Sequence, residues 1–254
     1  MSLIKDFYDS HKNFTCRTAI DYNISPGIKC KFDLIKSNLS LNRKFNHGID
    51  LGSSGNSILT FLENFKQKSF FDIAHLPLIQ YIRHNGNNPI CGDLARLPYR
   101  DRTFDFVCAL DVLEHIKNDK LAISEISRIL KKGGITVITV PHRMKYYTNQ
   151  DRIIGHYRRY EINQLISLFK KYKLKILKSF GVYGRLMRIA EIQSTNPNKL
   201  EQNLLKLREK YESVIPFQKF WDVLQPFLSK LMKIDATYQS RKSTRNIGFI
   251  FIKK

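Results

Sequence analysis

Four aspartates stand at the ends of four successive apolar runs in the first half of this chain. The runs are short and rich in β-branched or aromatic residues, and they occupy residues 45–50, 69–72, 89–93 and 104–111. Helical patterns separate them, so the sequence predicts an α/β fold with a doubly wound, mostly parallel sheet. Ligands bind at the carboxyl ends of such strands. The four carboxylates are therefore expected to meet in one acidic crevice, which favours a cationic or hydroxyl-rich ligand.

The turn after Asp50 is built from small residues. Residues 51–57 are Leu-Gly-Ser-Ser-Gly-Asn-Ser, and the apolar spacing over residues 58–65 predicts an amphipathic helix after them. Such a turn lets a ligand approach the backbone closely and offers it free helix N–H groups. Asp72 follows about 20 residues later, the distance at which a dinucleotide fold places an acid on ribose hydroxyls. The sequence thus predicts a cofactor that contains adenosine.

Further motifs follow in a fixed order. They are Ile-Asp-Leu-Gly at 49–52, Phe-Asp at 71–72, Cys-Gly-Asp-Leu at 91–94, Leu-Pro-Tyr at 97–99, Thr-Phe-Asp-Phe-Val at 103–107, Leu-Asp-Val-Leu-Glu-His-Ile at 110–116 and Lys-Lys-Gly-Gly at 131–134. In this order the chain resembles the class I S-adenosylmethionine-dependent methyltransferases of the type 11 group, over residues 45 to about 183. The first loop departs from the family pattern because Ser54 and Asn56 stand at its later glycine places.

The resemblance implies S-adenosyl-L-methionine as the cofactor and methyl transfer as the activity. It places Asp72 on the ribose hydroxyls and Asp93, with the Leu94 backbone, on the adenine. From the residues alone, an aspartate after a strand can also be only a helix cap or a turn former. The cofactor-binding positions that the resemblance implies are Asp50, Gly52, Gly55, Asp72, Asp93, Leu94 and Asp111.

The resemblance also implies a seven-stranded, mostly parallel sheet of the Rossmann-like methyltransferase fold. Residues 1–44 are expected to form an N-terminal helical cap, and residues 45–183 the cofactor-binding core, completed by a strand at 246–254. Residues 184–245 have helical periodicity and far exceed an ordinary hairpin connection. They are interpreted as a helical insertion that contacts the substrate, a membrane or a partner.

The loop after the fifth strand, residues 141–160, is the predicted acceptor region. Arginines there can clamp a phosphate or carboxylate, and a histidine can remove a proton from the acceptor. The alternative is that this string only caps the helix that begins at Glu161. The predicted catalytic residues are His156 and His142, and the predicted substrate-binding residues are Tyr146, Arg158, Arg159 and Tyr160.

The partner prediction rests on charge and on residues 215–234. The chain has 43 Lys and Arg against 22 Asp and Glu, a net charge of +21. Residues 215–234 carry an aromatic apolar face that includes Phe217, Phe220 and Trp221, with lysines opposite, which suits an anionic membrane surface or simply core packing. We expect a small-molecule or lipid-linked acceptor. An RNA methyltransferase and a non-catalytic cofactor-binding protein are the alternatives.

No metal is expected. Asp111, Glu114 and His115 match in part the metal-binding strings of ubiquinone-biosynthesis and small-RNA 2′-hydroxyl methyltransferases, but Leu-Glu-His is common among type 11 members that need no metal. The cysteines show no Cys-x-x-Cys pairing, and neither a leader nor a membrane-spanning run is recognisable. The expected location is cytoplasmic, with peripheral membrane attachment as an option, and the oligomeric state is left open.

Overall fold

The computed structural model of the protein describes residues 20–39, 43–79, 81–82, 89–186 and 197–254, of which 197–201 are described by backbone alone. Seven strands form one sheet in the order β3-β2-β1-β4-β5-β7-β6. The strands are β1 (Phe45–Leu51), β2 (Phe65–Asp72), β3 (Ile90–Cys91), β4 (Phe104–Leu110), β5 (Leu130–Pro141), β6 (Leu174–Tyr183) and β7 (Asn246–Lys253). β7 is antiparallel to both of its neighbours, and the other pairs are parallel. The predicted fold class is confirmed.

Seven α-helices are described around this sheet. They are α1 (Ile20–Ile24), α2 (Pro26–Asn38), α3 (Asp119–Ile129), α4 (Asn149–Ile153), α5 (Ile162–Lys171), α6 (Pro197–Ser213) and α7 (Ile215–Tyr238). Helices α3 and α5 help to build one buried apolar cluster, whereas α2 and α7 contribute to a second cluster. The sheet therefore lies between two apolar layers, as a doubly wound fold requires. No described helix combines the length with the apolar character that a bilayer crossing requires.

The helix predicted over residues 58–65 is wrong. Only Ile58–Phe61 is helical, as a short 3-10 helix that ends when the Leu62 N–H bonds to the Leu59 carbonyl. Phe65 already begins β2, because its ring stacks on Phe45 at 4.9 Å between centroids and packs edge-on against Phe106. The apolar spacing of this segment therefore serves a sheet contact rather than a helix face.

Helices lie before β1 and between β6 and β7, as predicted, although residues 1–19 and 187–196 of the predicted cap and insertion lie outside the described residues. Ser25 caps α2, and Pro26 occupies its first turn. Helix α7 packs against these N-terminal helices: the Trp221 indole N–H donates to the Ile24 carbonyl at 3.1 Å, and the Gln225 amide donates to the Tyr22 carbonyl at 2.9 Å. The cap and the insertion thus form a continuous helical layer over the sheet.

Candidate functional site

The turn after β1 has the backbone that a closely approaching ligand needs. Gly52 has a φ of +76°, and a Cβ added to it would lie 2.4 Å from Val112 Cγ2, so only glycine fits. Ser54, at a family glycine place, also has a positive φ of +48°. Gly55 is not among the positive-φ positions, so it does not take over this role. The turn therefore forms with a serine at a positive-φ position, at the expense of some backbone strain.

Buried polar groups without protein partners face this turn. A pocket opens between α2 and the turn, and Asp50, Gly52, Ser53, Ser54 and Asn56 contribute to its lining. Asp50 Oδ1, Ser53 Oγ and both polar atoms of the Asn56 amide have no hydrogen-bond partner among the described residues. Because buried polar groups are almost always bonded, these atoms mark a place for a polar ligand.

Asp50 is held at the pocket wall by Ser57, whose hydroxyl donates to its carboxylate. Burial raises the pKa of Asp50 to about 6, although hydrogen bonds from Ser57 and Cys108 partly oppose this change. A nearby positive charge on a ligand would favour the ionised carboxylate. The environment of Asp50 is therefore suited to a cationic group.

Asp72, at the end of β2, binds the turn itself. Its carboxylate accepts the Ser54 N–H at 2.8 Å and the Ala74 N–H at 3.0 Å, and burial raises its pKa. Asp93 follows β3, which pairs beside Asp72, and its carboxylate accepts the Ala95 N–H at 2.9 Å. The predicted cofactor residues of β1, β2 and β3 thus lie at one edge of the sheet, with the side chain of Leu94 buried beside Asp93.

Asp111, after β4, has a positive φ of +57°. Its carboxylate is bound by three side chains of the protein. It accepts hydrogen bonds from Lys31 Nζ at 2.8 Å, Thr139 Oγ1 at 2.8 Å and Asn246 Nδ2 at 2.7 Å. Burial alone would raise the pKa of Asp111, but Lys31 and the other donors lower it to about 2. The carboxylate is consequently ionised throughout the physiological range.

Lys31 is the site residue that the sequence analysis missed. It comes from α2, its side chain lines the pocket, and only 7% of the residue is exposed. The available signal was a lysine in the middle of a helix whose neighbours Phe32, Leu34 and Ile35 are apolar. A lysine so placed has to find an anion when the helix is buried, since a buried charge without a partner is strongly unfavourable.

The predicted acceptor loop folds back over the end of β4. The Tyr157 N–H donates to the Glu114 carbonyl at 2.8 Å, and Arg158 donates to the Lys117 carbonyl at 2.8 Å and pairs with Asp119. The Tyr160 hydroxyl lies 2.9 Å from Asp119 and 3.1 Å from the Leu113 carbonyl. Arg158 and Tyr160 therefore hold the loop to the segment after β4.

The two predicted catalytic histidines have different surroundings. His142 is 3% exposed, and its Nδ1 lies 2.8 Å from the Tyr160 carbonyl. His156 Nδ1 lies 2.8 Å from Asp151 Oδ1, and Arg159 donates two hydrogen bonds to the same carboxylate. In the neutral tautomer that donates Nδ1–H to Asp151, the lone pair of His156 lies on Nε2.

Glu114 and His115 lie beside His156 and are brought there by the 3-10 turn Leu113–His115. His115 and His156 pack edge to face with ring centroids 4.5 Å apart. Burial and the neighbouring His156 lower the pKa of His115 to about 3, so its imidazole is neutral. Tyr146 lies elsewhere: its hydroxyl donates to the Lys242 carbonyl at 3.2 Å, and Arg245 covers its ring. Tyr146 therefore contacts the segment before β7, whose Arg245 carbonyl also accepts the His142 N–H.

Similarity to known proteins agrees with this geometry. Residues 49–138 match the family profile described as a methyltransferase domain, and they include the pocket turn, Asp72, Asp93 and Asp111. The chain carries a type 11 methyltransferase domain. Methyltransferases of this family depend on S-adenosylmethionine, so the predicted family and cofactor are confirmed.

The methyltransferase domain has relatives with varied names. A probable S-adenosylmethionine-dependent methyltransferase of Mycolicibacterium smegmatis is 28% identical over 94 residues, 36% of this chain and 37% of that protein. A tRNA (carboxymethyluridine(34)-5-O)-methyltransferase of Arabidopsis thaliana is 38% identical over 72 residues, 27% of this chain and 18% of that protein. The matched region thus covers less than half the length of these relatives.

A solved structure shares the fold over the whole chain. It is a methyltransferase of Thermotoga maritima, described as a possible histamine N-methyltransferase, with a TM-score of 0.65 and 16% sequence identity. The alignment covers 99% of this chain and 100% of that chain. At this identity the likeness shows the fold alone.

Proposed function

We propose that the chain transfers the methyl group of S-adenosylmethionine to a small, lipid-linked acceptor at a membrane surface. The observation that carries the methyl-transfer proposal is the pocket beside Gly52, where Asp50, Ser53 and Asn56 have buried polar atoms with no partner among the described residues. Hydroxyl, amine and carboxylate groups of the cofactor would supply the hydrogen-bond partners that these atoms lack. The residues present therefore fit the cofactor that the family uses.

The chain's own residues bind and position the reactants. Gly52 admits the cofactor to the backbone, Asp72 and Asp93 receive its hydroxyl and amine groups, and the Lys31–Asp111 pair fixes charge beside the pocket. When bound, the cofactor supplies an activated methyl group on a sulfonium. Because the methyl group is already activated, the main contribution of the protein is to hold the acceptor in line with it.

His156 is the group of the acceptor loop that we propose to face the acceptor. Its Nε2 lies in the gap between the loop and Glu114, whereas the polar groups of Arg159 and Tyr160 bond within the chain. We therefore propose Arg159 and Tyr160 as residues that position the loop. Arg158 is partly exposed and remains our proposed contact for an acidic group of the acceptor.

The lipid-linked acceptor is supported by a surface of α7 that we call the apolar stripe. Its members recur three or four residues apart and are 39% to 85% exposed: Phe220, Val223, Phe227, Leu231, Ile234 and Tyr238. Lys219 and Lys230 adjoin it and are exposed. An exposed apolar stripe with adjoining lysines suits the surface of an anionic membrane. The expected lipid-facing role of Trp221 and Phe217 is corrected, since both are partly buried and the Trp221 indole bonds to α1.

Calorimetry with S-adenosylmethionine and its demethylated product tests the cofactor site. Asp72→Ala should weaken binding about tenfold or more, because a hydrogen bond to a carboxylate is worth about 1.5 to 3 kcal/mol. Glu63→Ala is the control, since Glu63 is exposed and lies before β2, at the opposite edge of the sheet. A folded wild type that binds neither compound would end the methyltransferase proposal.

RNA is the second candidate acceptor, and the Arabidopsis relative, named as a tRNA methyltransferase, favours it together with the charge of +21. Methyl transfer from labelled cofactor into the lipid and RNA fractions of source cells distinguishes the two. Label in the lipid fraction supports the proposed acceptor. Label confined to RNA would replace it with the alternative.

A further inference from the structure

The Glu114 side chain has an unusual environment. It is fully buried, and neither of its carboxylate oxygens has a hydrogen-bond partner among the residues that the structure describes. An ionised carboxylate in this condition is strongly unfavourable, and native proteins supply it with donors or a cation, or hold it protonated. The methyl-transfer chemistry outlined above makes no use of Glu114. The side chain therefore needs a separate explanation.

Two imidazoles converge on this carboxylate. One ligand-type atom from each of Glu114, His115 and His156 can be chosen so that all three lie within 4.8 Å of one another. His156 Nε2 is 3.9 Å from Glu114 Oε1, which is too long for a hydrogen bond but leaves room between the two atoms. An ion bound at about 2.0 to 2.2 Å from each ligand would need only small side-chain movements to occupy this gap.

Contacts from Asp151 orient the imidazole of His156 toward Glu114. Asp151 Oδ1 lies 2.8 Å from His156 Nδ1 in a hydrogen bond, and Arg159 and the Thr148 N–H donate to the same carboxylate. A carboxylate that fixes one imidazole nitrogen so that the other faces a metal is the usual support of metal-binding histidines. Asp151 is 2% exposed, so this support is rigidly placed.

We propose that Glu114, His115 and His156 bind a divalent transition-metal ion beside the cofactor pocket. Two imidazoles and one carboxylate favour ions such as Zn²⁺, Mn²⁺, Fe²⁺ or Co²⁺ over Ca²⁺ and Mg²⁺, which prefer oxygen ligands. Three protein ligands leave coordination positions open for water or an acceptor atom. No metal was expected from the sequence, because Leu-Glu-His is common among type 11 members that need none. His156 lies 41 residues after His115, and no local spacing connects the two histidines.

A titration with Co²⁺ tests the site directly, using protein without an affinity tag that has been stripped with a chelator. The wild type should bind one ion and show the visible absorption bands of Co²⁺ coordinated by histidine. Asp151→Asn should weaken the affinity about 10- to 100-fold, because the carboxylate that orients the His156 ligand is lost. Glu114→Gln and His156→Asn remove a direct ligand and should weaken it further.

The controls separate a built site from casual binding. His47→Asn removes a histidine that bonds to Ser69 outside the cluster, so it should retain wild-type affinity and spectrum. If Glu114→Gln does not fold, His156→Asn decides the question, because His156 lies in a loop. Absence of the bands in the wild type, or bands of equal strength in the wild type, Glu114→Gln and His156→Asn, would overturn the proposal.

The metal test does not depend on methyl transfer. Cofactor affinity measured on the same samples tells the two proposals apart: Glu114→Gln should lose Co²⁺ binding while its affinity for S-adenosylmethionine stays close to wild type. A wild type that binds cobalt but not the cofactor would support the metal site and end the methyltransferase proposal. A wild type that binds the cofactor without cobalt would do the reverse.

Discussion

Asp50 lies at the end of β1 and Asp111 directly after its neighbour β4, yet their surroundings move their pKa values in opposite directions. Burial raises the pKa of Asp50 to about 6, and the hydroxyl of Ser57 only partly offsets it. Burial acts on Asp111 as well, but the ion pair with Lys31 outweighs it and lowers the pKa to about 2. Near pH 5, one carboxylate is therefore mostly neutral while the other is charged. The two residues are expected to respond differently to a cationic cofactor.

Affinity for S-adenosylmethionine should rise between pH 5 and 7, around the pKa of about 6 at Asp50. A cationic group beside Asp50 binds the ionised carboxylate, so binding releases a proton from the fraction that is still protonated, and raising the pH favours the complex. Calorimetry across this range measures the change. Asp50→Asn cannot ionise and should give a flatter profile. A wild-type profile as flat as that of the variant would show that Asp50 does not face a cationic group.

Helix α7 is attached to α1 by bonds to backbone carbonyl groups. Gln225 is 2% exposed and donates to the Tyr22 carbonyl at 2.9 Å. Trp221, one turn before Gln225 in α7, donates to the Ile24 carbonyl. Arg208 of α6 adds an ion pair to Asp21. These contacts connect residues 187 to 203 positions apart in the sequence, so they stabilise the helical layer over the pocket.

Gln225→Ala should lower the free energy of unfolding by about 1 to 3 kcal/mol, because it removes a buried donor and leaves the Tyr22 carbonyl unbonded. Urea denaturation followed by circular dichroism measures this change. Lys219→Ala on the exposed side of the same helix is the control and should stay within about 0.5 kcal/mol of wild type. Equal stability of Gln225→Ala and wild type would mean that α7 is held chiefly by its apolar contacts.

Most of the helices and strands could be predicted from the sequence, because local patterns determine them. Strand alternation and the helical periods gave the element order, and the ends of β1, β2 and β4 fell within a residue of the predicted aspartates. The segment at 58–65 failed because Phe65 is required by Phe45 in the sheet, and periodicity does not record such a contact. The Lys31–Asp111 pair and the approach of His156 to Glu114 were missed for the same reason: each joins residues that only the tertiary fold brings together.

The molecule as a whole combines a net charge of +21 with the apolar stripe. Each lysine near an anionic bilayer adds about 1 kcal/mol of attraction, which salt screens, whereas apolar insertion persists in salt. RNA binding lacks the apolar contribution and falls steeply as the salt concentration rises, because the release of counterions from RNA becomes less favourable. An anionic membrane and RNA can therefore be distinguished by how binding depends on salt and on the residues of the apolar stripe.

Sedimentation with anionic liposomes at low and high salt should show binding that is reduced but retained at high salt. Phe227→Ser should weaken the retained part about tenfold or more, since burial of a large apolar side chain contributes about 1.5 to 3 kcal/mol. Ile82→Ser is the matched control, because Ile82 is 59% exposed and lies outside α7. Binding that disappears in high salt and is indifferent to Phe227 would remove the membrane proposal and favour RNA.

The position of β7 between β5 and β6 has a consequence for how the protein is made. Strand β6 bonds only to β7 in the sheet, and β7 leaves the ribosome roughly 60 residues after β6 is complete. At about 5 to 20 residues per second, β6 waits several seconds without its partner. During this interval β5 exposes an unpaired edge that nascent strands of neighbouring chains could occupy. Synthesis of α6 and α7 falls within the same interval, so they are available to pack on the sheet before its last strand arrives.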